Sequence, residues 1–335
     1  MSVIGSNPPG AARGSVPAML AGAVAAEPGT SVEQADPIEI GAIETGTIET
    51  GTIERPDPWY RVIWSSKKAR VGIVIVAVYV LVAVFAPLIA PYAPTNNTFE
   101  PLTAPSSAHW LGTNAGGQDV FSQVIYGSRV SLLVGLFGGL IATTIALVIG
   151  LISGYAEGTL VDDVLSFLTN VALVIPVLPL IITFVAYSQV RGIGLIVAVI
   201  AVTSWAGAAR TKRAQIITLR NRDFVTAAKF AGEGPLRIVF AEIMPNMTSL
   251  IAAAFVGAAT AAMGAEAGLA VLGLGSTDSV SWGTILYQAD AAGAVSQGLF
   301  AWVFVPGLVL AILITAMSFI NFGVDLLSNP HLRED

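Results

Sequence analysis

The chain has 335 residues, of which 54% are hydrophobic and only 11% are charged, whereas about 25% of a soluble globular protein is charged. A water-exposed surface of this size needs more charge, so the composition excludes an ordinary soluble enzyme and disorder over most of the chain. The sequence has no cysteine, which excludes disulfides, thiolate metal ligands and a cysteine nucleophile. His109 and His331 are the two histidines and leave little scope for a histidine-built metal site.

The amino-terminal segment, residues 1–57, is rich in Gly, Ala, Pro, Ser and Glu. An Ile-Glu pair recurs every five residues from Ile38 to Glu54, with glycine between the pairs. Regular glycine opposes a stable helix. Eight acidic residues against two arginines give this segment the whole net charge of −6. We expect a disordered, acidic cytoplasmic tail, with a docking motif as the alternative.

Six long stretches without Asp, Glu, Lys or Arg follow the tail, and each holds an apolar segment near the roughly 20 residues that a membrane-spanning helix needs. Their continuous apolar character excludes the alternating pattern of a transmembrane barrel. We therefore predict an all-α membrane domain over residues 58–335. Its six transmembrane helices are expected at approximately residues 71–90, 131–155, 164–188, 192–209, 246–265 and 298–322.

The third predicted span contains two prolines and begins next to two acidic residues. Pro176 and Pro179 predict a kink, because proline removes a backbone donor inside a helix. Asp162 and Asp163 are expected to cap the start of the helix.

The basic residues predict the orientation of these spans. With the amino terminus inside, fourteen of the sixteen lysines and arginines fall on inner segments, and only Arg129 and Arg191 fall on outer ones. Basic residues concentrate on the cytoplasmic side of membrane proteins. Both termini are therefore predicted to lie inside.

The cytoplasmic loop predicted at residues 210–242 holds seven of the sixteen basic residues. Residues 223–231 suit a short helix, with Asp223 as its cap. Gly232 can end this helix, and Pro235 can open the next one.

One face of this short helix carries Phe224, Ala227, Ala228 and Ala231 at helical spacing. Such a small, knobbed face can insert into a groove on a partner protein. The alternative is an amphipathic helix lying on the lipid surface. Small alanine side chains bind lipid weakly, which favours the protein contact.

The same loop resembles a motif of bacterial ABC importer permeases. Residues 226–228, Gly232 and residues 243–245 are similar to the pattern E-A-A-x-x-x-G-(x)9-I-x-L-P, with Thr226 in place of Glu and Met244 in place of Leu. Three further stretches resemble the C-type permease subunit of dipeptide, oligopeptide and nickel importers. They are residues 109–132, 266–283 and 321–333.

The resemblance implies the inner-membrane fold and the partners of that family. Two different permease subunits form one pore, two cytoplasmic ATPases drive it, and an extracytoplasmic binding protein delivers the solute. The loop at residues 220–245 then couples this chain to an ATPase. The coupling residues implied are Phe224, Thr226, Ala227, Ala228, Gly232, Ile243 and Pro245.

Two replacements in the external segment depart from the family pattern. Asn114 and Gln118 stand where Asp and Arg are usual. The replacement can change the docking of the binding protein or the solute, or it can be neutral.

Three residues near the outer side are candidates for the pore or the outer loops. Glu266 lies at the end of the fifth predicted span, where it either faces the pore or makes a structural hydrogen bond to loop amides. Trp282 belongs to a Ser-Trp-Gly sequence, and Asp278 precedes that sequence. Asp278 is either a contact for the binding protein or a solvated loop acid.

The chain carries no phosphate-binding G-x-x-x-x-G-K-[ST] motif, so we expect no catalysis and no cofactor on it. ATP and Mg²⁺ are expected on the partner ATPases. Peptide is the first choice of solute, with oligosaccharide and nickel as alternatives. A stand-alone secondary transporter or channel is the competing class, but it would predict an inverted repeat or ionisable residues inside the spans.

Overall fold

The computed structural model describes residues 59–189 and 192–328, which are helical apart from their connecting loops and contain no β-strand. The predicted tail at residues 1–57 lies outside the described residues. The helices are α1 (Trp59–Ser65), α2 (Lys67–Val84), α3 (Ala86–Ile89), α4 (Val120–Tyr155), α5 (Leu160–Val174), α6 (Val177–Tyr187), α7 (Ile193–Arg220), α8 (Asp223–Phe230), α9 (Pro235–Arg237), α10 (Thr248–Leu269), α11 (Trp282–Ala291) and α12 (Phe300–Ser328).

Within the described residues, four helical segments are long and apolar enough to cross a membrane, and a fifth is obtained if α5 and α6 count as one span. The four are Val120–Tyr155, Ile193–Arg220, Pro235–Leu274 and Phe300–Leu327. The prediction of a mostly helical protein with several apolar spans is confirmed, whereas the number six is not.

The first predicted span is helical but falls short as a single apolar helix. The 18 residues of α2 include Lys67, Lys68 and Arg70 in the first turn. The helix then ends at Val84, and α3 follows with a proline in its first turn. The apolar run therefore continues across a break between two helices.

The third predicted span is broken, as its prolines indicated. Helix α5 ends at Val174, and α6 begins after Pro176 at an angle of 80°. Arg220 at the end of α7 donates a hydrogen bond to the carbonyl of Tyr155 at the end of α4, so α4 and α7 finish at the same end of the molecule. The bent pair therefore returns the chain from that end to the other.

The fourth and fifth helices are longer than their uncharged stretches. Helix α7 continues to Arg220, eleven residues beyond the predicted boundary at 209. The next apolar segment begins at Pro235 and contains a π turn (Ile238–Ile243) and a 3-10 turn (Met244–Met247) before α10. The predicted loop at 210–242 is thereby reduced to residues 221–234.

Helix α4 packs against both α7 and α10 through glycines that let the backbones come close. A Cβ atom at Gly139 would lie 2.7 Å from the backbone of Ala259 on α10. A Cβ at Gly150 would lie 2.7 Å from Lys212 Cβ on α7. Larger residues do not fit at these positions, so the three helices form the centre of the described bundle.

We predict that Gly139→Ala destabilises the protein, although alanine has the higher helix propensity. The added methyl group meets α10 backbone, and overpacking of this kind costs about 1–3 kcal/mol. The measurement is the free energy of unfolding by SDS titration in mixed micelles. Gly257→Ala on α10 is the matched control, because nothing lies within 4 Å of its new methyl group. Equal stability of both variants would contradict the prediction.

Candidate functional site

The short helix after α7 forms where the sequence predicts it, but its start differs in detail. Helix α8 begins at Asp223, and Arg222 occupies the N-cap position without a side-chain capping bond. The prediction that Asp223 is the cap is therefore wrong. Its carboxylate still lies in the first turn, where the helix dipole favours a negative charge.

The end of α8 is a left-handed glycine turn, as predicted. Gly232 has φ of +80°. Its N–H donates to the carbonyl of Lys229, and the N–H of Glu233 donates to the carbonyl of Ala228. These two bonds are the Schellman pattern, which satisfies carbonyls that the helix end leaves free. Pro235 then opens α9, also as predicted.

One side of α8 packs inside the chain. Val225 and Ala228 are buried, and they belong to a cluster with Ile216, Ile238 and Ile243 from the flanking helices. Two of the predicted coupling residues, Ala228 and Ile243, therefore hold α8 against its own chain. Phe224 is half-buried beside the same cluster.

The opposite side of α8 is exposed. Thr226 and Ala227 share it with Phe230, whose surface is 89% exposed. The sequence analysis did not single out Phe230, because the predicted face at 224, 227, 228 and 231 straddles the buried and the exposed sides. Two apolar pairs at helical spacing, Val225 with Ala228 and Ala227 with Phe230, are the sequence signal that distinguishes the buried side from the exposed side.

The neighbouring turns also carry exposed apolar side chains. Leu236 and Phe240 are 75% and 60% exposed, and Gly232 and Pro245 are exposed as well. We call Thr226, Ala227, Phe230, Leu236 and Phe240 the coupling face. Exposed apolar side chains of this kind are typical of a contact with a protein or with the membrane.

Polar bonds from α7 hold the base of this region. The Arg220 guanidinium donates to the Tyr155 carbonyl at 2.6 Å and lies 3.5 Å from the Glu157 carboxylate. The buried Lys212 ammonium donates to the carbonyl of Leu250 on α10 at 2.7 Å. Helix α7 is thus fastened to both α4 and α10 just before α8 begins.

The three outer candidates have different surroundings. Trp282 is completely buried, its indole N–H donates to the carbonyl of Val124 at 2.9 Å, and Tyr79 packs edge-on against its ring. It is a core residue that fixes α11 to α4, so the prediction of a pore or outer-loop role is wrong. Its apolar ring is more stable inside the bundle than at the surface.

Glu266 and Asp278 differ in their exposure to solvent, since Glu266 is buried and Asp278 is exposed. Glu266 is 2% exposed, and one of its carboxylate oxygens has no hydrogen-bond partner. Asp278 is exposed, accepts a bond from Thr277, and borders a cleft of about 380 Å³.

Neutral amides line the same end of the molecule. The Asn114 side-chain amide donates to the side-chain oxygen of Gln118 at 2.8 Å, and that oxygen also accepts from the Gln123 side chain at 2.7 Å. Gln288 of α11 lies 3.3 Å from Asn114. The two replacements noted in the sequence thus form one bonded set, in which an amide pair stands where the resembling pattern has a charge pair.

The family follows from comparison with known proteins. Residues 146–334 match the family described as the inner membrane component of binding-protein-dependent transport systems. The chain belongs to this permease family. Residues 58–105 match the N-terminal transmembrane domain of oligopeptide transport permease C. The predicted resemblance is confirmed, and the permease is a multi-pass protein of the inner membrane.

Several named relatives are similar over most of the permease. The dipeptide transport system permease protein DppC of Alkalihalophilus pseudofirmus is 32% identical over 285 residues, which cover 82% of this chain and 91% of the relative. The di/tripeptide transport system permease protein DppC of Pseudomonas aeruginosa is 33% identical over 289 residues, covering 81% and 91%. The oligopeptide transport system permease protein OppC of Bacillus subtilis is 29% identical over 273 residues, covering 81% and 88%.

We predict that Gly232→Ala loosens the end of α8. An alanine at this positive φ is strained by about 1–2 kcal/mol, while no neighbour lies within 4 Å to clash with it. Hydrogen exchange of the α8 amides should therefore become faster. Gly234→Ala is the control, since Gly234 has φ of −73° and equally open surroundings. Unchanged exchange in the Gly232 variant would contradict the prediction.

Proposed function

We propose that this permease forms, together with a second permease subunit, the pore of an ATP-driven peptide importer. Two cytoplasmic ATPases drive the pore, and an extracytoplasmic binding protein delivers the solute. Membership of the binding-protein-dependent permease family carries this proposal. The names of the similar proteins, which are dipeptide, di/tripeptide and oligopeptide permeases, favour peptides over oligosaccharides or nickel.

We further propose six membrane crossings with both termini in the cytoplasm. The first crossing consists of α2 and α3 together, from Val71 to Ile89, and the third consists of the bent pair α5 and α6. Lysine and arginine side chains at a helix start can reach the headgroups while their stems lie in lipid, so the charges in the first turn of α2 are compatible with a span. Residues 1–57 then form a cytoplasmic tail, and residues 58–335 form the membrane domain.

In this arrangement the coupling face meets an ATPase. It lies at the end of the molecule where α4 and α7 finish, which is the cytoplasmic end in the proposed orientation. Thr226, Ala227, Phe230 and Gly232 are exposed there and available for contact. The buried residues Ala228 and Ile243 support α8 from behind. Pro245 lies at the margin, where it also interrupts the regular helix before α10.

The opposite end is the proposed docking side for the binding protein. The cleft of about 380 Å³ opens there between the external segment and the loop before α11, and Asp278 and Gln288 line it. ATP and Mg²⁺ bind to the ATPase subunits in this proposal, and this chain itself is not catalytic. The missing phosphate-binding motif supports that division.

Reconstitution in liposomes tests the whole proposal. We expect ATP-dependent uptake of labelled di- or oligopeptides only when both permeases, the ATPases and the binding protein are present. Uptake of an oligosaccharide or of Ni²⁺ in place of peptide would overturn the proposed solute. Uptake by this chain alone without ATP would overturn the importer and indicate a secondary transporter or channel.

We predict that Ala227→Trp weakens binding of the ATPases by at least tenfold, because a large side chain on the exposed side of α8 no longer fits a groove shaped for a small one. The measurement is the affinity of purified ATPase for the permease pair in nanodiscs. Leu160→Trp is the matched control, since Leu160 is 77% exposed at the same end of the bundle but outside the coupling face. Equal loss in both variants would argue against docking at α8.

A further inference from the structure

An ion pair between a buried carboxylate and a partly exposed guanidinium joins α5 to α7. It lies close to α8, which we call the coupling helix. The Arg213 guanidinium donates two hydrogen bonds to the Asp162 carboxylate, from Nε to Oδ1 at 2.6 Å and from Nη2 to Oδ2 at 2.7 Å. Asp162 is 3% exposed. The sequence analysis expected this residue to cap α5, but it is the third residue of the helix and its side chain binds another helix instead.

Three further hydrogen-bond donors contact the Asp162 carboxylate. The hydroxyls of Ser153 on α4 and Ser166 on α5 donate to Oδ1 at 2.6 and 2.9 Å, and the Gly158 N–H donates to Oδ2 at 3.2 Å. Five donors from α4, α5, α7 and the loop between α4 and α5 therefore converge on Asp162. Full hydrogen bonding of this kind is what allows a charge to remain in a buried position.

Such a pair fixes the position of one helix along another. Apolar helix surfaces in lipid pack by dispersion and tolerate sliding, whereas a bidentate arginine–carboxylate pair has one geometry. Sliding α5 along α7 by one turn, about 5.4 Å, would separate Asp162 from Arg213. An ion pair of this kind adds little stability compared with apolar packing. Its better-supported role is to fix the position of one helix along another.

The pair connects the coupling helix to the broken span. Arg213 lies on the same unbroken helix as Arg220, and α8 begins three residues after Arg220. On the other side, α5 leads into the 80° bend and α6. Next to the pair, between α4, α5 and α7, a cavity of about 150 Å³ leaves part of α5 without apolar packing. At this place the hydrogen bonds of Asp162 connect α5 to α7.

We propose that the Asp162–Arg213 pair is a positioning device that makes the broken span α5–α6 move together with the coupling helix α8. The inference rests on the proposed docking of α8 to an ATPase. Displacement of α8 then reaches α5 through the end of α7 without slippage, and α6 moves together with α5. Arg213 and Asp162 touch neither solute nor ATP in this role.

The test compares Asp162→Asn and Arg213→Lys with the wild-type permease in the complete reconstituted transporter. The measured quantity is the number of solute molecules taken up per ATP hydrolysed. We expect this ratio to fall at least tenfold in Asp162→Asn, which loses the charge, and about threefold in Arg213→Lys, which keeps the charge but not the paired geometry. Asp163→Asn, one residue further along α5 and exposed, is the matched control with an unchanged ratio.

The ratio separates coupling from folding. A merely structural role would lower the amount of assembled complex, and with it uptake and hydrolysis in proportion. An unchanged ratio, or failure of both variants to assemble, would therefore overturn the inference. If the wild-type complex itself shows no ATP-dependent uptake, the proposed function fails instead, and the two failures are distinguishable.

A second measurement follows the motion directly. The natural chain has no cysteine, so spin labels can be placed at Lys229→Cys on α8 and Tyr187→Cys on α6, both exposed. In the complex with cysteine-free partners, trapping ATP should move both labels together and keep the distance between them within about 2 Å. Adding Asp162→Asn should broaden or shift that distance. The same distances with and without the pair would overturn the inference.

Discussion

The close approach of α4 to α7 and α10 is the constraint on which the described bundle depends. Helices surrounded by lipid gain little from hiding apolar surface from one another, so they associate through close contact and hydrogen bonds. Glycines at 139 and 150 allow that contact with Ala259 and Lys212. Since α7 leads into the coupling helix and α10 follows it, the position of the coupling face is determined by the packing around α4.

Several charged side chains among the described residues join one helix to another. Arg129 at one end donates to the carbonyls of Ala83 and Val84, which fastens α2 to α4. Lys212 and Arg213 at the other end bind α10 and α5 from adjacent positions of α7. The low charge content that first indicated a membrane protein therefore has a second meaning, because each of these charges holds two elements in register.

Much of the architecture could be predicted from the sequence, and the errors have physical causes. Turn chemistry at Gly232 and Pro176 is local, so the end of α8 and the break after α5 were predicted correctly. Helix lengths were underestimated at α7, since charged residues can continue a helix beyond its apolar part. Two features depend on contacts with segments distant in sequence, which a local pattern does not contain. They are the side of α8 that faces its own chain and the burial of Trp282 in the core. The family itself was recognised from motifs and is confirmed.

The uninterrupted course of α7 has a thermodynamic consequence. Its 28 residues extend about 42 Å, from the end that carries the amide-lined cleft to the first turn of α8. If a ligand at one end favours one placement of this helix, the other end is biased by the same free energy. Linkage is reciprocal for binding. In the proposed importer, the factor by which a docked binding protein changes the nucleotide affinity of the ATPases therefore equals the factor by which bound nucleotide changes the affinity for the binding protein.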